Sequence, residues 1–163
     1  MHPTELVGVD FVDTAAYSFR NSVDLAITPA QLFEVLADAD AWPRWAKAIT
    51  KVTWTSPLPP QVGSTRTVDM LGGLVGDEEF LVWQPNTRMA FRFNASSEKN
   101  VVAFAENYDV VETATGCHLT WTLAMEVSGP SRVVLPLTKP FLNLGFRFFL
   151  RNLRRYTATR FAT

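Results

Sequence analysis

Arg66, Glu79 and Glu106 are the residues of this chain best suited to chemistry, because each sits at an alternate position of a strand that is otherwise largely apolar. Arg66 shares its parity with Val68 and Met70, Glu79 with Leu81 and Trp83, and Glu106 with Phe104 and Tyr108. A period of two therefore predicts that all three charges project to the inner face of a sheet. A charge buried without a partner is costly, so an arginine between two glutamates, with Tyr108 beside them, is expected to form a polar node in an apolar pocket. Two uses fit such a node. In the first, a few convergent polar groups orient an amphipathic ligand in a cavity. In the second, Glu106 or Glu79 is a general base and Arg66 stabilises the resulting enolate. A basic carboxylate needs a pKa raised by burial, whereas a neighbouring arginine favours the ionised form. That conflict favours binding over catalysis.

Other reactive side chains are poorly arranged. His2 lies near the terminus, and His118 has outward parity in its strand. Cys117 falls at a turn-to-strand edge with no patterned histidine partner, so it reads as a small apolar filler. Asp77, Glu78 and Glu79 alternate faces and make a poor chelate, so no metal is expected. The glycines of L-G-G-L-V-G (Leu71–Gly76) lack phosphate-loop spacing and read as a hairpin connection. No cofactor is expected.

The elements that must position the node follow from periodicity. Tyr17, Phe19, Val23, Leu25 and Ile27 mark a first strand within Ala16–Ile27. Thr28 and Pro29 form a helix start, and the helix to Leu36 presents Phe33 to the pocket. A second short helical turn begins at Trp45, and Trp45 is expected to line the pocket together with Trp54. Strands are predicted at Thr50–Ser56 (with Trp54), Thr65–Met70, Asp77–Trp83, Arg88–Ala95, Val101–Glu112 and Cys117–Val127. Within them Phe91 and Phe93, and Leu119, Trp121 and Leu123, are the inward residues. For Asp77–Trp83 both faces are apolar, and the set Glu79/Leu81/Trp83 is chosen over Glu78/Phe80/Val82.

The chain closes with a long helix over about Leu137–Tyr156 that is apolar almost all round. It is expected to be embraced by sheet, with Phe141 and Phe148 lining the pocket and Gly145 leaving room beside them. Arg147, Arg151, Arg154 and Arg155 form its solvated line, with docking on an anionic membrane as the alternative use. Leu71–Gly76 and Ser128–Pro136 are the expected gates.

Strands grouped together, two short helices before them and one long helix after them predict an α+β fold. The segments A-D-A-D-A-W-P-R-W (Ala37–Trp45), V-G-S-T-R-T-V (Val62–Val68), F-L-V-W-Q-P (Phe80–Pro85) and G-C-H-L-T-W (Gly116–Trp121), in this order, resemble the START-like helix-grip superfamily. Within it the resemblance is to the bacterial polyketide cyclase/dehydrase and lipid-transport (SRPBCC) group, over about Tyr17–Tyr156. It implies a curved antiparallel sheet of about seven strands around the C-terminal helix, with a deep apolar tunnel between them. Its implied ligands are fatty acyl, sterol-like or polyketide molecules, and its implied alternative activity is polyketide cyclisation or dehydration. Such a fold hosts carriers and enzymes alike.

Composition bounds the rest. With 163 residues, one domain at 17–161 after an extension at 1–16 is the simplest division. Fifteen basic against 16 acidic residues give a net charge of −1, which offers no field for nucleic acid. Twelve Phe and five Trp suit an aromatic core or a lined cavity equally. The single cysteine fits a reducing compartment, and the first ten residues lack signal-peptide character. Asn143, Arg147 and Arg151 interrupt the last helix, so stable membrane insertion is not expected. A cytoplasmic monomer or weak homodimer is the resulting expectation.

Overall fold

A computed structural model describes residues 1–162. In chain order the elements are β1 (His2–Pro3), α1 (Phe11–Thr14), β2 (Tyr17–Leu25), α2 (Pro29–Ala37), α3 (Trp42–Trp45), β3 (Ile49–Trp54), β4 (Thr65–Met70), β5 (Val75–Gln84), β6 (Arg88–Ser96), β7 (Val101–Thr113), β8 (Gly116–Val127) and α4 (Ser131–Arg160). Seven strands form one antiparallel sheet in the order β2-β8-β7-β6-β5-β4-β3, and the short β1 adds to β6. This is the expected α+β helix-grip arrangement, with a curled sheet, two short helices after β2 and a long C-terminal helix.

Local chemistry explains the elements that frame the interior. At the start of α2 the Thr28 hydroxyl accepts from the Gln31 N–H, and the Gln31 side chain accepts from the Thr28 N–H. Pro29 follows at a position where no N–H is needed. The far end of α2 leaves carbonyls without helical donors. The indole of Trp42 donates to the Leu36 carbonyl and that of Trp54 to the Ala37 carbonyl, each at 3.1 Å. Two tryptophans are thereby fixed over the interior by finishing one helix.

The last helix departs from expectation in length and in packing. It starts at Ser131, so Val133–Pro136 belongs to a helix rather than a gate loop, and Pro136 and Pro140 lie within it. Its C-terminal part is clamped. Leu150 and Leu153 are buried, Asn152 donates to the Trp45 carbonyl, and Arg160 bridges Asp38 and Glu34 of the α2 end. Hydrogen bonds that Arg160 donates to Asp38, Tyr156 and Glu34 raise its pKa above its ordinary value. Toward its N-terminal part only one side is covered. Phe146 packs edge-on against Phe19 and Trp121, while Phe141 and Phe148 face outward at 72% and 49% exposure. They do not line the interior. Gly145 has no heavy atom within 4 Å of where a Cβ would stand, and with Phe141 and Phe148 turned outward the room it leaves is outside the helix rather than in the pocket.

On the opposite side of the sheet, Phe11 and Val12 of α1 pack on Ala103, Ala105 and Ala124, whose small side chains make room for that turn.

Candidate functional site

The inner sheet face carries the polar node, with one change of membership. Arg66 and Glu78 stand opposite each other across β4 and β5, and Arg66 Nε donates to Glu78 Oε2 at 2.5 Å. Both are buried. Glu79 points the other way. On the outer face it accepts from Asn94 at 2.8 Å and from Arg92 at 3.1 Å, and the Asn94 bond holds its pKa below the usual carboxylate range against partial burial, with Arg92 adding to the lowering. The chosen parity of β5 is therefore overturned, and the cause is a register shift between Phe80 and Val82. A bulge reverses alternation, so Glu78 and Phe80 face inward and Trp83 does too. Leu81 lies within the shifted stretch, partly exposed and outside the core. Gly76 fits the corrected parity, since a Cβ there would stand 2.5 Å from the Phe93 ring.

Arg66 is enclosed by aromatic rings. Its guanidinium carbon lies 4.3 Å from the centre of Trp42, 4.9 Å from Phe91, 5.0 Å from Phe80 and 5.7 Å from Trp54. Ring faces attract the cation, an effect strengthened by desolvation. Only Nε has a hydrogen-bond partner, however. Both terminal nitrogens, Nη1 and Nη2, are buried without one, and so is the indole N–H of Trp45. Buried donors almost always have partners.

Glu106 forms the second half of the node. Tyr108 donates to its Oε2 at 2.6 Å and Trp121 at 2.8 Å. The two donors are cross-strand neighbours on β7 and β8, with rings stacked at 5.8 Å. Burial pushes the Glu106 pKa up to about 7; the Tyr108 bond opposes this and the nearby Glu78 charge adds to it. With both neutral donors on Oε2, the proton of the neutral acid belongs on Oε1. Burial likewise raises Glu78, with Arg66 pulling it down, and burial together with Glu106 raises Tyr108 well above its ordinary value. The Phe91 ring connects the halves, 4.9 Å from Arg66 and 6.2 Å from Tyr108.

Most of the residues expected to face inward pack together here. Phe33 packs edge-on against Trp83, Trp54 stacks on Phe80, and Trp45 meets Trp121 edge-on. Val68, Phe93, Phe104, Leu119 and Leu123 are buried in the same core, with Met70 at its margin. Sequence reasoning missed Glu78, Phe80 and Trp42. Trp42 is legible in the sequence, because two tryptophans in W-P-R-W share one tight turn and Trp45 is expected inside. Cys117 is buried with its pKa raised to about 11 by burial, and His118 pairs outward with Asp24 at 2.7 Å. Neither joins the node. Among the described residues no cluster of His, Cys, Asp and Glu is arranged to hold a metal.

Two open grooves lie beside this core. One of about 440 Å³ is lined by Arg20, Asn21, Ser22, Thr120 and Arg147, and one of about 290 Å³ by Phe19, Pro136, Lys139, Pro140 and Asn143 among others. Both follow the seam between β2 and α4. That seam is held by Asn21 donating to Asn143 at 2.8 Å, Arg147 to Asn21 at 3.3 Å and Tyr17 to the Arg132 carbonyl at 3.1 Å.

Comparison with known proteins fits this geometry. A Mycobacterium tuberculosis protein and a Mycobacterium bovis protein, both described only as uncharacterized, are each 63% identical over 162 residues, covering 99% of this chain and 97% of theirs. Among solved structures, a START superfamily protein from Mycobacterium smegmatis superposes with a TM-score of 0.68 at 14% identity, covering 87% of this chain and 97% of that one. The di-domain ARO/CYC StfQ of the steffimycin biosynthetic pathway gives 0.70 at 12% identity, over 90% of this chain and 52% of that one. At such identities the likeness is one of fold. Residues 16–158 match the family described as polyketide cyclase/dehydrase and lipid transport, and the chain belongs to that family.

Proposed function

We propose that the chain binds an amphipathic small molecule whose apolar body lies among the inner aromatic residues and whose acceptor oxygen receives Arg66 and Trp45. One observation carries this reading: three buried nitrogens, Nη1 and Nη2 of Arg66 and Nε1 of Trp45, lack acceptors within the protein. Leaving such donors unpaired costs free energy that a carbonyl or carboxylate oxygen recovers. Glu78 already balances the Arg66 charge, so a neutral carbonyl and a carboxylate both remain acceptable partners. Entry is through the β2–α4 seam, where a few side-chain hydrogen bonds hold the helix between two grooves and the N-terminal part of α4 is thinly packed. Native mass spectrometry of gently purified protein tests the reading. Wild type is expected to carry an adduct of small-molecule mass that Arg66→Met loses. Absence of any adduct, even after incubation with an organic-solvent extract of mycobacterial cells, contradicts it.

A second reading, cyclisation or dehydration of a polyketide-like substrate, is favoured by Glu106. Arg66 is paired with Glu78 and lowers the Glu106 pKa least of the groups around it, so burial prevails and a pKa of about 7 suits a general acid–base group. Turnover lost in Glu106→Gln while ligand adducts persist would select this reading; an adduct recovered chemically unchanged supports the carrier.

A further inference from the structure

We propose that the outer face of the N-terminal part of α4 docks on an anionic lipid surface. Val134, Leu137, Phe141, Leu144 and Phe148 follow one another at intervals of three, four, three and four residues, so they form one strip along the helix. All five are exposed, Leu137 at 73%. A contiguous apolar strip on a helix whose opposite side is already packed is a contact surface rather than scattered exposure. Among the described residues this is the one helix long and apolar enough to cross a bilayer, yet Phe146 and Leu150 on its inner side are committed to the sheet and core. It therefore lies in the interface plane.

Charge selects the occupant. Between Ser131 and Arg160 there are seven basic residues and no acidic one. The whole chain has net charge −1, so everything outside α4 sums to −8. Arg151 and Arg155 continue the exposed strip one and two turns beyond Phe148, placing guanidinium groups where lipid phosphates would meet them. A second copy seated on the same face would bring two all-cationic helices together, which like-charge repulsion opposes. An anionic bilayer satisfies both the apolar strip and the cations. The proposal is independent of what the interior binds.

Co-sedimentation with vesicles tests it, using phosphatidylcholine alone and phosphatidylcholine with 30% phosphatidylglycerol. The expected result is at least about ten-fold stronger binding to the anionic vesicles, weakened by salt. Leu137→Ser/Phe141→Ser and Arg151→Glu/Arg155→Glu should each lower binding by about ten-fold or more while keeping the wild-type unfolding midpoint, because all four side chains are exposed. Wild-type failure to bind anionic vesicles, or equal binding by the folded apolar double variant, overturns the proposal. So does a light-scattering dimer that Leu137→Ser/Phe141→Ser dissociates, since a second copy would then own the face.

Discussion

Arg66 and Glu78 face each other in register across β4 and β5, and their ion pair uses only one of the three guanidinium nitrogens. Glu78 anchors the cation among four aromatic rings and leaves its two buried terminal nitrogens without acceptors. The pair is therefore a support, and the unpaired edge is the candidate binding element.

Removing the cation strands a buried carboxylate. Arg66→Met is expected to lose about 3–5 kcal/mol at pH 7, and Arg66→Met/Glu78→Leu to recover most of that. The loss should shrink in acid, where Glu78 protonates. Urea midpoints of the three proteins check this, and an Arg66→Met midpoint equal to wild type contradicts it.

Glu106 gives a pH signature of known sign. Its folded pKa, about 7, stands above the ordinary 4.5, so the folded state holds the proton more tightly. The resulting stabilisation is fully present below about pH 4.5 and is lost as pH rises through 7, a change of ~3 kcal/mol. Glu106→Gln should lack this fall. Superimposable stability–pH curves for variant and wild type would show that the carboxyl is not buried as described.

Glu79 should matter little by comparison. Its contacts with Arg92 and Asn94 are partly solvated, so Glu79→Gln is expected to cost no more than about 1 kcal/mol. A cost comparable to that of Arg66→Met would return Glu79 to the interior.

The two sides of α4 should respond oppositely. Leu150 is buried, so Leu150→Ala is expected to cost about 2–5 kcal/mol, whereas Phe141→Ser should stay within about 0.5 kcal/mol. Thermal or urea unfolding of the two variants decides it.

These outcomes bear on what the sequence made legible. Strict alternation located Arg66, Phe91, Phe93, Phe104, Glu106, Tyr108, Leu119, Trp121 and Leu123, because β4, β6, β7 and β8 keep their register where those residues lie. It failed in β5, where counting back from Trp83 across a bulge selects Glu79 and counting from Phe80 selects Glu78. A period of two cannot reveal a bulge that one residue type does not mark. In α4 two apolar stripes overlap, one through Leu142, Phe146, Phe149 and Leu153, the other through Leu137, Phe141, Leu144 and Phe148. All-round apolarity does not imply all-round burial, because burial depends on the elements available to cover each face, and β2 and α3 cover only one.

The indole N–H signals test the central claim most directly. In ¹⁵N-labelled protein, Trp42, Trp54 and Trp121 are already bonded to Leu36, Ala37 and Glu106, whereas Trp45 is not. Comparing delipidated protein before and after incubation with an organic-solvent extract of mycobacterial cells, the Trp45 signal should move most, in the direction of a newly formed hydrogen bond, and should stay in place in Arg66→Met. A Trp45 signal unchanged in wild type, or shifted equally in the variant, would contradict an acceptor oxygen held jointly by Arg66 and Trp45.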